Sequence, residues 1–186
     1  MTAPIPDNFP ALVDRASREF ASTEAISDGD FSLNFAELGQ EIQKAAGALV
    51  ASGVSRGDRV AVWAPNSWEW VVAAMAVFRV GAVLVPVNTR FKGREAAFVL
   101  NKAKVKVLFT VVGFLGNDYV SDLRNSKEEV ASLEQIVVLR GDILEGTISF
   151  QDFLARSSTE ALKEAEIRAM DVSGSDLGLI MFTSDT

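Results

Sequence analysis

This sequence predicts an α/β fold, a parallel-rich sheet with helices on both faces. Three observations carry the prediction. Strand-length and helix-length apolar patterns alternate from Asp58 onward. The central strand candidates (Val60–Val62, Val83–Val85 and Val105–Phe109) are short apolar runs rather than strict in-out alternations. That is the pattern of strands covered on both sides. The chain also has 186 residues, 48% of them apolar, enough for one substantial core.

The elements follow in order. After Asn8, "FPALVDRASREFAS" has helical apolar spacing with Pro10 near its start. "EAISDGDFSLNF" reads as two short strands around a turn at Gly29. Asn34 then opens a long helix, with Glu37 as its capping-box partner. Leu38, Ile42, Ala45, Ala46 and Leu49 form its apolar stripe, and Gly53 ends it. "DRVAVWA" is a strand. The helix of "PNSWEWVVAAMAVFRVG" is apolar nearly all round, which predicts burial on both sides. Asn66 is its expected cap, with Glu69 at the matching position. "AVLVPV" is a strand ending at Pro86, "REAAFVLNKA" an amphipathic helix and "KVKVLFTVV" a strand. A helix is expected near 117 to 131, then a strand at "QIVVL", a short strand at "GTISF" and a helix at "QDFLARS". A charged stretch from Thr159 to Asp171 precedes a final strand, "LGLIMFT".

Composition narrows the chemistry. The net charge of −7 disfavours nucleic acid and anionic membranes as partners. There is no cysteine and no histidine. Disulfides, thiol nucleophiles, thiolate or imidazole metal sites and histidine bases are therefore excluded from this stretch. Catalysis here would have to use carboxylates, hydroxyls, lysine, arginine or backbone N–H groups. The start, "MTAPIPDNFP", has neither the basic region nor the apolar run of a signal peptide. The longest apolar block, residues 70 to 78, is far shorter than the roughly 18 residues a membrane span needs. A soluble, cytoplasmic protein is expected.

Four segments offer candidate chemistry. "TSDT" at 183 to 186 places small hydroxyl residues beyond the carboxyl end of a strand, where ligands of open α/β sheets bind. Such residues can offer O–H and N–H donors to phosphate oxygens, or simply form a polar turn or helix cap. "PVNTRF" puts Asn88, Thr89 and Arg90 in a similar place, with a turn as the plainer reading. Arg56, Asp58 and Arg59 read as a solvated turn before a buried strand. Trp63, Trp68 and Trp70 read as core or interface rather than as a ligand stack. No Walker-type phosphate loop and no strand-linked G-x-G-x-x-G is present.

Taken together and in this order, the stretch from "FAELGQEIQKAAGALV" through "DRVAVWAPNSWEWVVA" and "VPVNTRF", then "AFVLNKAKVKVLFT", "SFQDFL" and "LGLIMFTSDT", resembles the N-terminal part of adenylate-forming enzymes. That superfamily includes acyl-CoA synthetases, luciferases and the adenylation domains of peptide synthetases. The resemblance runs from about Phe9 to Thr186. "DRVAVWAPNSWEWVVA" and "VPVNTRF" look most like bacterial acyl-CoA synthetases, including those acting on fatty or steroid-derived acids.

The resemblance implies an ATP-, Mg2+- and coenzyme A-dependent ligase. A carboxylic acid becomes an acyl-adenylate with release of pyrophosphate, and the thiol then displaces AMP. In this family the last strand leads into a loop of the form T-S-G-T-T-G-x-P-K-G, which holds the β- and γ-phosphates. Thr183, Ser184 and Thr186 match its first, second and fourth positions, and Asp185 stands where glycine is usual. Residues 1–186 are thus expected to be a truncated, N-terminal subdomain portion of an AMP-binding domain, ending inside the phosphate loop. The adenine pocket, the acyl pocket, the Mg2+ carboxylate and the mobile C-terminal lysine domain lie later in such chains. No catalytic residue and no metal ligand is expected here. The fragment should be inactive, expose apolar surface and form a homo-oligomer. Two other readings remain: a stand-alone α/β small-ligand module, and a non-catalytic scaffold with helix 67–80 as its interface.

Overall fold

The computed structural model describes residues 4–183. Asn8 caps α1 (Phe9–Glu19) by accepting from the Ala11 N–H at 3.0 Å, and Pro10 sits in the first turn. Proline is tolerated there because its missing N–H would have no helical partner. β1 (Glu24–Asp28) and β2 (Phe31–Asn34) form an antiparallel hairpin of their own, turned by Gly29 at φ +62°. Asn34 and Glu37 make the reciprocal capping box predicted for α2 (Phe35–Ala51).

The main sheet carries the order β4-β3-β5-β7-β8, with all four pairings parallel. Its strands are β3 (Arg59–Trp63), β4 (Val83–Pro86), β5 (Val105–Phe114), β7 (Gln135–Arg140) and β8 (Ile148–Ser149). β6 (Asn117–Asp118) folds back antiparallel on the end of β5. The chain steps from β3 to β4 through α3 (Trp68–Arg79), then crosses back over β3 to β5 through α4 (Gly93–Ala103). Right-handed crossovers in opposite directions put α3 and α4 on opposite faces. α3 packs with α2, α1 and α7 (Thr159–Asp171), while α4 packs with α5 (Tyr119–Asn125). The short α6 (Phe150–Leu154) lies against α2 and β7.

Apolar strands between two helical layers explain the core. Val60, Ala61, Val62, Trp63, Val85 and Phe109 have no measurable exposure. α3 is buried from Val72 to Ala74 and from Ala76 to Arg79, as its all-round apolar pattern predicts. Each fully buried aliphatic side chain contributes roughly 1.5–3 kcal/mol relative to leaving it in water. A scaffold with helix 67–80 as its interface does not fit, since most of that face is already covered.

Three expectations are corrected and one unassigned stretch is resolved. Ser67, not Asn66, caps α3, accepting from the Trp70 N–H at 3.2 Å, and Glu69 turns to Arg140 instead of closing a capping box. The helix expected near 117 to 131 is only α5, whose start is set by the Asp118 cap and which ends at Asn125. The charged stretch 159 to 171 is helical. Ala161, Ala165 and Ala169 recur every fourth residue and make a narrow buried stripe that the surrounding charges obscure. The final strand is a single parallel bridge, Leu84 to Leu179. The Leu84 N–H donates to the Gly178 carbonyl at 2.8 Å and the Ile180 N–H to the Leu84 carbonyl at 2.9 Å. The next ladder bond would come from position 86, and Pro86 has no N–H to give.

Candidate functional site

The candidate site lies at the β4 edge, where the C-terminal segment passes the carboxyl end of the strand. From Leu177 to Thr183 the odd residues are exposed and the even ones half-buried. This period of two holds Gly178, Ile180 and Phe182 toward the protein and brings Thr183 out beyond Pro86. Thr183 is exposed, and its hydroxyl makes no hydrogen bond to a described residue. With Phe182 it forms one wall of a cleft of about 340 Å³, whose other wall is α4 and its approach: Phe91, Arg94, Glu95, Phe98 and Val99. Ser184, Asp185 and Thr186, the other predicted phosphate-loop residues, lie outside the described residues.

The α4 wall is fixed by close packing. A Cβ at Gly93 would meet the Asp122 carbonyl oxygen of α5 at 1.8 Å, so only glycine lets the two helices approach this far. Glu95 is held by accepting from the Lys92 N–H at 2.8 Å. Arg94 is largely exposed and pairs loosely with Glu128 at 3.4 Å. Phe98 is 63% exposed and faces the cleft. A hydroxyl donor and an exposed guanidinium on a half-apolar rim can bind an anionic group attached to an apolar body. They break no bond by themselves. Thr183 therefore fits the opening position of a phosphate cradle. Among the described residues no cluster of three potential metal ligands occurs, so no side chain is assigned to Mg2+.

The second candidate segment is structural. The Asn88 carbonyl accepts from the Trp63 indole N–H at 3.1 Å, and the Asn88 side chain accepts from the Arg90 N–H at 2.9 Å. The Thr89 carbonyl accepts from the Tyr119 hydroxyl at 2.8 Å. Burial pushes the Tyr119 phenol up from its ordinary value. Trp63 stacks on Tyr119 with ring centroids 4.3 Å apart and is fully buried, while Trp68 stacks on Phe31 at 4.7 Å. Trp63 is thus core, as read from the sequence, while Trp68 anchors the hairpin and Trp70 packs half-buried against the core. Arg90 is exposed and makes no side-chain bond to a described residue.

Arg56, Asp58 and Arg59 are more than a solvated turn. Asp58 accepts from the Ser55 N–H at 2.8 Å and meets Lys106 at 3.3 Å, and Arg59 donates to the Ala103 carbonyl at 2.6 Å. Arg56 holds Asp171 and Asp176. Apart from Ser55, three residues before Asp58, these partners lie 44 to 120 residues away, which is why sequence reasoning missed them. No local pattern announces them.

Comparison with known proteins gives the family and the fold. The family of AMP-binding enzymes matches residues 13–186. A methyl-dioxo-octahydro-indenyl-propanoyl:CoA ligase of Rhodococcus jostii is 39% identical over 184 residues, covering 97% of this chain and 36% of the ligase. A ligase of the same name from Mycobacterium tuberculosis is 37% identical over 177 residues, covering 95% of this chain and 34% of that protein. The crystal structure of the N-terminal domain of FACL13 from Mycobacterium tuberculosis superposes with a TM-score of 0.75 at 25% identity, covering 95% of this chain and 42% of that one. The chain therefore spans about a third of the length of these curated relatives.

Proposed function

This chain belongs to the AMP-binding enzyme family, and on that premise we propose that it is the N-terminal portion of the adenylation domain of an acid–thiol ligase. The whole protein activates a carboxylic acid with ATP and Mg2+ as an acyl-adenylate and passes the acyl group to coenzyme A. Residues 1–186 supply the sheet and the opening of the phosphate loop, with Thr183, Ser184, Asp185 and Thr186 as its nucleotide-contacting residues. One observation carries the reading: a segment parallel to β4 delivers an exposed Thr183 hydroxyl, bonded to no described residue, past the carboxyl end of the sheet. ATP would supply the leaving group for acyl activation. Thr183 and the backbone N–H groups after it would hold and orient its phosphates.

The relatives' names point to the substrate. Two of them join a fused-ring propanoate to CoA, so a carboxylate carried on an apolar fused ring or acyl chain is the proposed substrate class, in the cytoplasm. Among the described residues no helix is long and apolar enough to cross a membrane.

In a ligase that continues this chain, Thr183→Ala should raise the KM for ATP about tenfold, the scale of one charge-assisted hydrogen bond. The KM for the acid should stay within about twofold, as expected of a contact made to the nucleotide alone. An unchanged ATP KM would remove Thr183 from the loop. Asp185 is expected to turn away from the phosphates and cap the following segment, so Asp185→Gly should shift ATP affinity by less than about tenfold. The 186-residue chain by itself should show no carboxylate-dependent ATP–pyrophosphate exchange, because catalysis of this kind needs several groups around the phosphates at once. Its exposed Leu177, Leu179 and Met181 predict dimers or larger species by light scattering.

A further inference from the structure

One arginine ties together everything that brings the C-terminal segment to the β4 edge. Arg56 sits in the turn before β3. That turn is bonded to the approach to β4: the Gly57 N–H donates to the Gly81 carbonyl, and the Val83 N–H to the Asp58 carbonyl, both at 2.8 Å. The Arg56 stem lies over Gly81, where an added Cβ would meet its Cγ at 3.1 Å. Its guanidinium then reaches across to two points more than a hundred residues away. Nη1 donates to Asp171 Oδ2 at 2.5 Å and to the Asp171 carbonyl at 3.2 Å, at the end of α7. Nη2 donates to Asp176 Oδ2 at 2.6 Å.

Asp176 closes the turn from which the segment departs. The same Oδ2 accepts from the Ser173 N–H at 2.9 Å, and the Asp176 N–H donates to the Ser173 carbonyl at 3.0 Å. Two residues later, the Gly178 carbonyl makes the first bond to β4. Arg56 thus joins the strand that receives the segment, the helix that ends before it and the turn that starts it.

The inner face of the segment shares in fixing its register, since Ile180 and Phe182 pack against the core. Its exposed face is Leu177, Leu179 and Met181, and its ladder stops at Pro86. That inner face is only half-buried and paired through a single bridge, which specifies register less firmly than a fully buried face would, and a one-residue slip would send every side chain to the other face. Such a slip would turn Thr183 inward. Lysine could not replace the arginine, since a single ammonium cannot serve two carboxylates and a carbonyl with fixed, forked geometry.

We propose that Arg56 is a positioning residue. It sets the register of residues 177–183 against β4 and thereby the place of the Thr183 hydroxyl. The consequence for nucleotide binding rests on the function proposed above; the positioning does not.

The test uses amide hydrogen exchange on the 186-residue chain with Arg56→Ala, Arg56→Lys and Asp176→Asn. The Leu84 and Ile180 amides report the bridge directly. They should exchange at least about tenfold faster in Arg56→Ala, and Arg56→Lys should recover less than half of the lost protection, as a local opening requires. Asp176→Asn should give part of the same effect, and adding it to Arg56→Ala should give no more. Amides in β5 and β7 should keep their rates. Unchanged exchange at Leu84 and Ile180, or equal acceleration at every amide, would overturn the proposal. In a ligase that continues the chain, Arg56→Ala should raise the ATP KM about fivefold with the acid KM within about twofold. If Thr183→Ala raises the ATP KM and Arg56→Ala does not, the nucleotide consequence is wrong. If Thr183→Ala itself has no effect, the phosphate-loop assignment fails while the exchange result still decides the positioning.

Discussion

α7 meets two arginines, and they do different work. Near its middle Glu166 accepts from Arg79 at 2.7 Å, and at its end Asp171 accepts from Arg56 at 2.5 Å. Each arginine holds a second carboxylate, Asp14 for Arg79 and Asp176 for Arg56. The chemistry is the same but the burial is not. The Arg79 side chain is 2% exposed and joins α1, α3 and α7, whereas that of Arg56 is 43% exposed and touches only the rim. Burial works against the Arg79 charge, yet its bonds to Glu166 and Asp14 outweigh that and raise its pKa above the ordinary arginine value. The helical face is held by a buried charge it cannot lose. The β4 edge is held by a solvated one whose worth lies in register rather than stability.

Arg140 is as exposed as Arg56, but one of its partners, Glu69, is buried. It donates to Glu69 at 2.7 and 2.8 Å and also pairs with Asp28 at the end of β1. Glu69 is buried, so this arginine pins the hairpin and the start of α3 to the end of β7.

The sharpest way to break the comparison is to remove the buried cation. Arg79→Ala should cost about 3 kcal/mol in urea unfolding, because two carboxylates lose their partner and a cavity opens. Arg79→Met should recover more than half of that, since its stem fills the space and both carboxylates can reach water. A cost near zero for Arg79→Ala would erase the distinction between the two faces. Arg140→Ala should cost about 2 kcal/mol, mainly by leaving buried Glu69 unpaired.

The acid limb of the stability curve sharpens the comparison further. Hydrogen bonds from Arg140 and from the Trp68 N–H hold the Asp28 carboxyl below its ordinary value of 3.8. A depressed carboxylate stabilises the fold above 3.8, and that contribution is lost as pH falls below 3.8 through the lowered folded-state value. Asp28→Asn should therefore flatten the stability profile below pH 3.8, measured by urea midpoints across pH. At the bottom of the scale, Arg56→Ala should cost less than about 1 kcal/mol of global stability. Met181→Lys should stay within about 0.5 kcal/mol, because Met181 is already in water. A larger loss from either would mean that the β4 edge belongs to the core.

Much of this was legible in the chain. The capping box of α2, the buried run of α3 and the apolar strands follow from neighbours within a few residues, where type and spacing decide the outcome. Leu177–Thr183 was legible as an apolar stretch leading to hydroxyls, but not as a single bridge. Its pairing ends at Pro86, which is about ninety residues earlier in sequence and adjacent only in space. α7 was missed because three alanines carry its buried stripe, and small residues leave a faint periodic signal among charges.

By itself the sequence determined the α/β class, most helix starts, the identity of the core and the family. These are properties of local spacing and of ordered motifs. Only the tertiary structure decided which carboxylates each arginine would hold, which wall would face Thr183, and why Arg56 is more than a solvated charge. Long-range ion pairs leave no trace in the neighbouring residues, because their energy exists only after the sheet has brought distant segments within hydrogen-bonding reach.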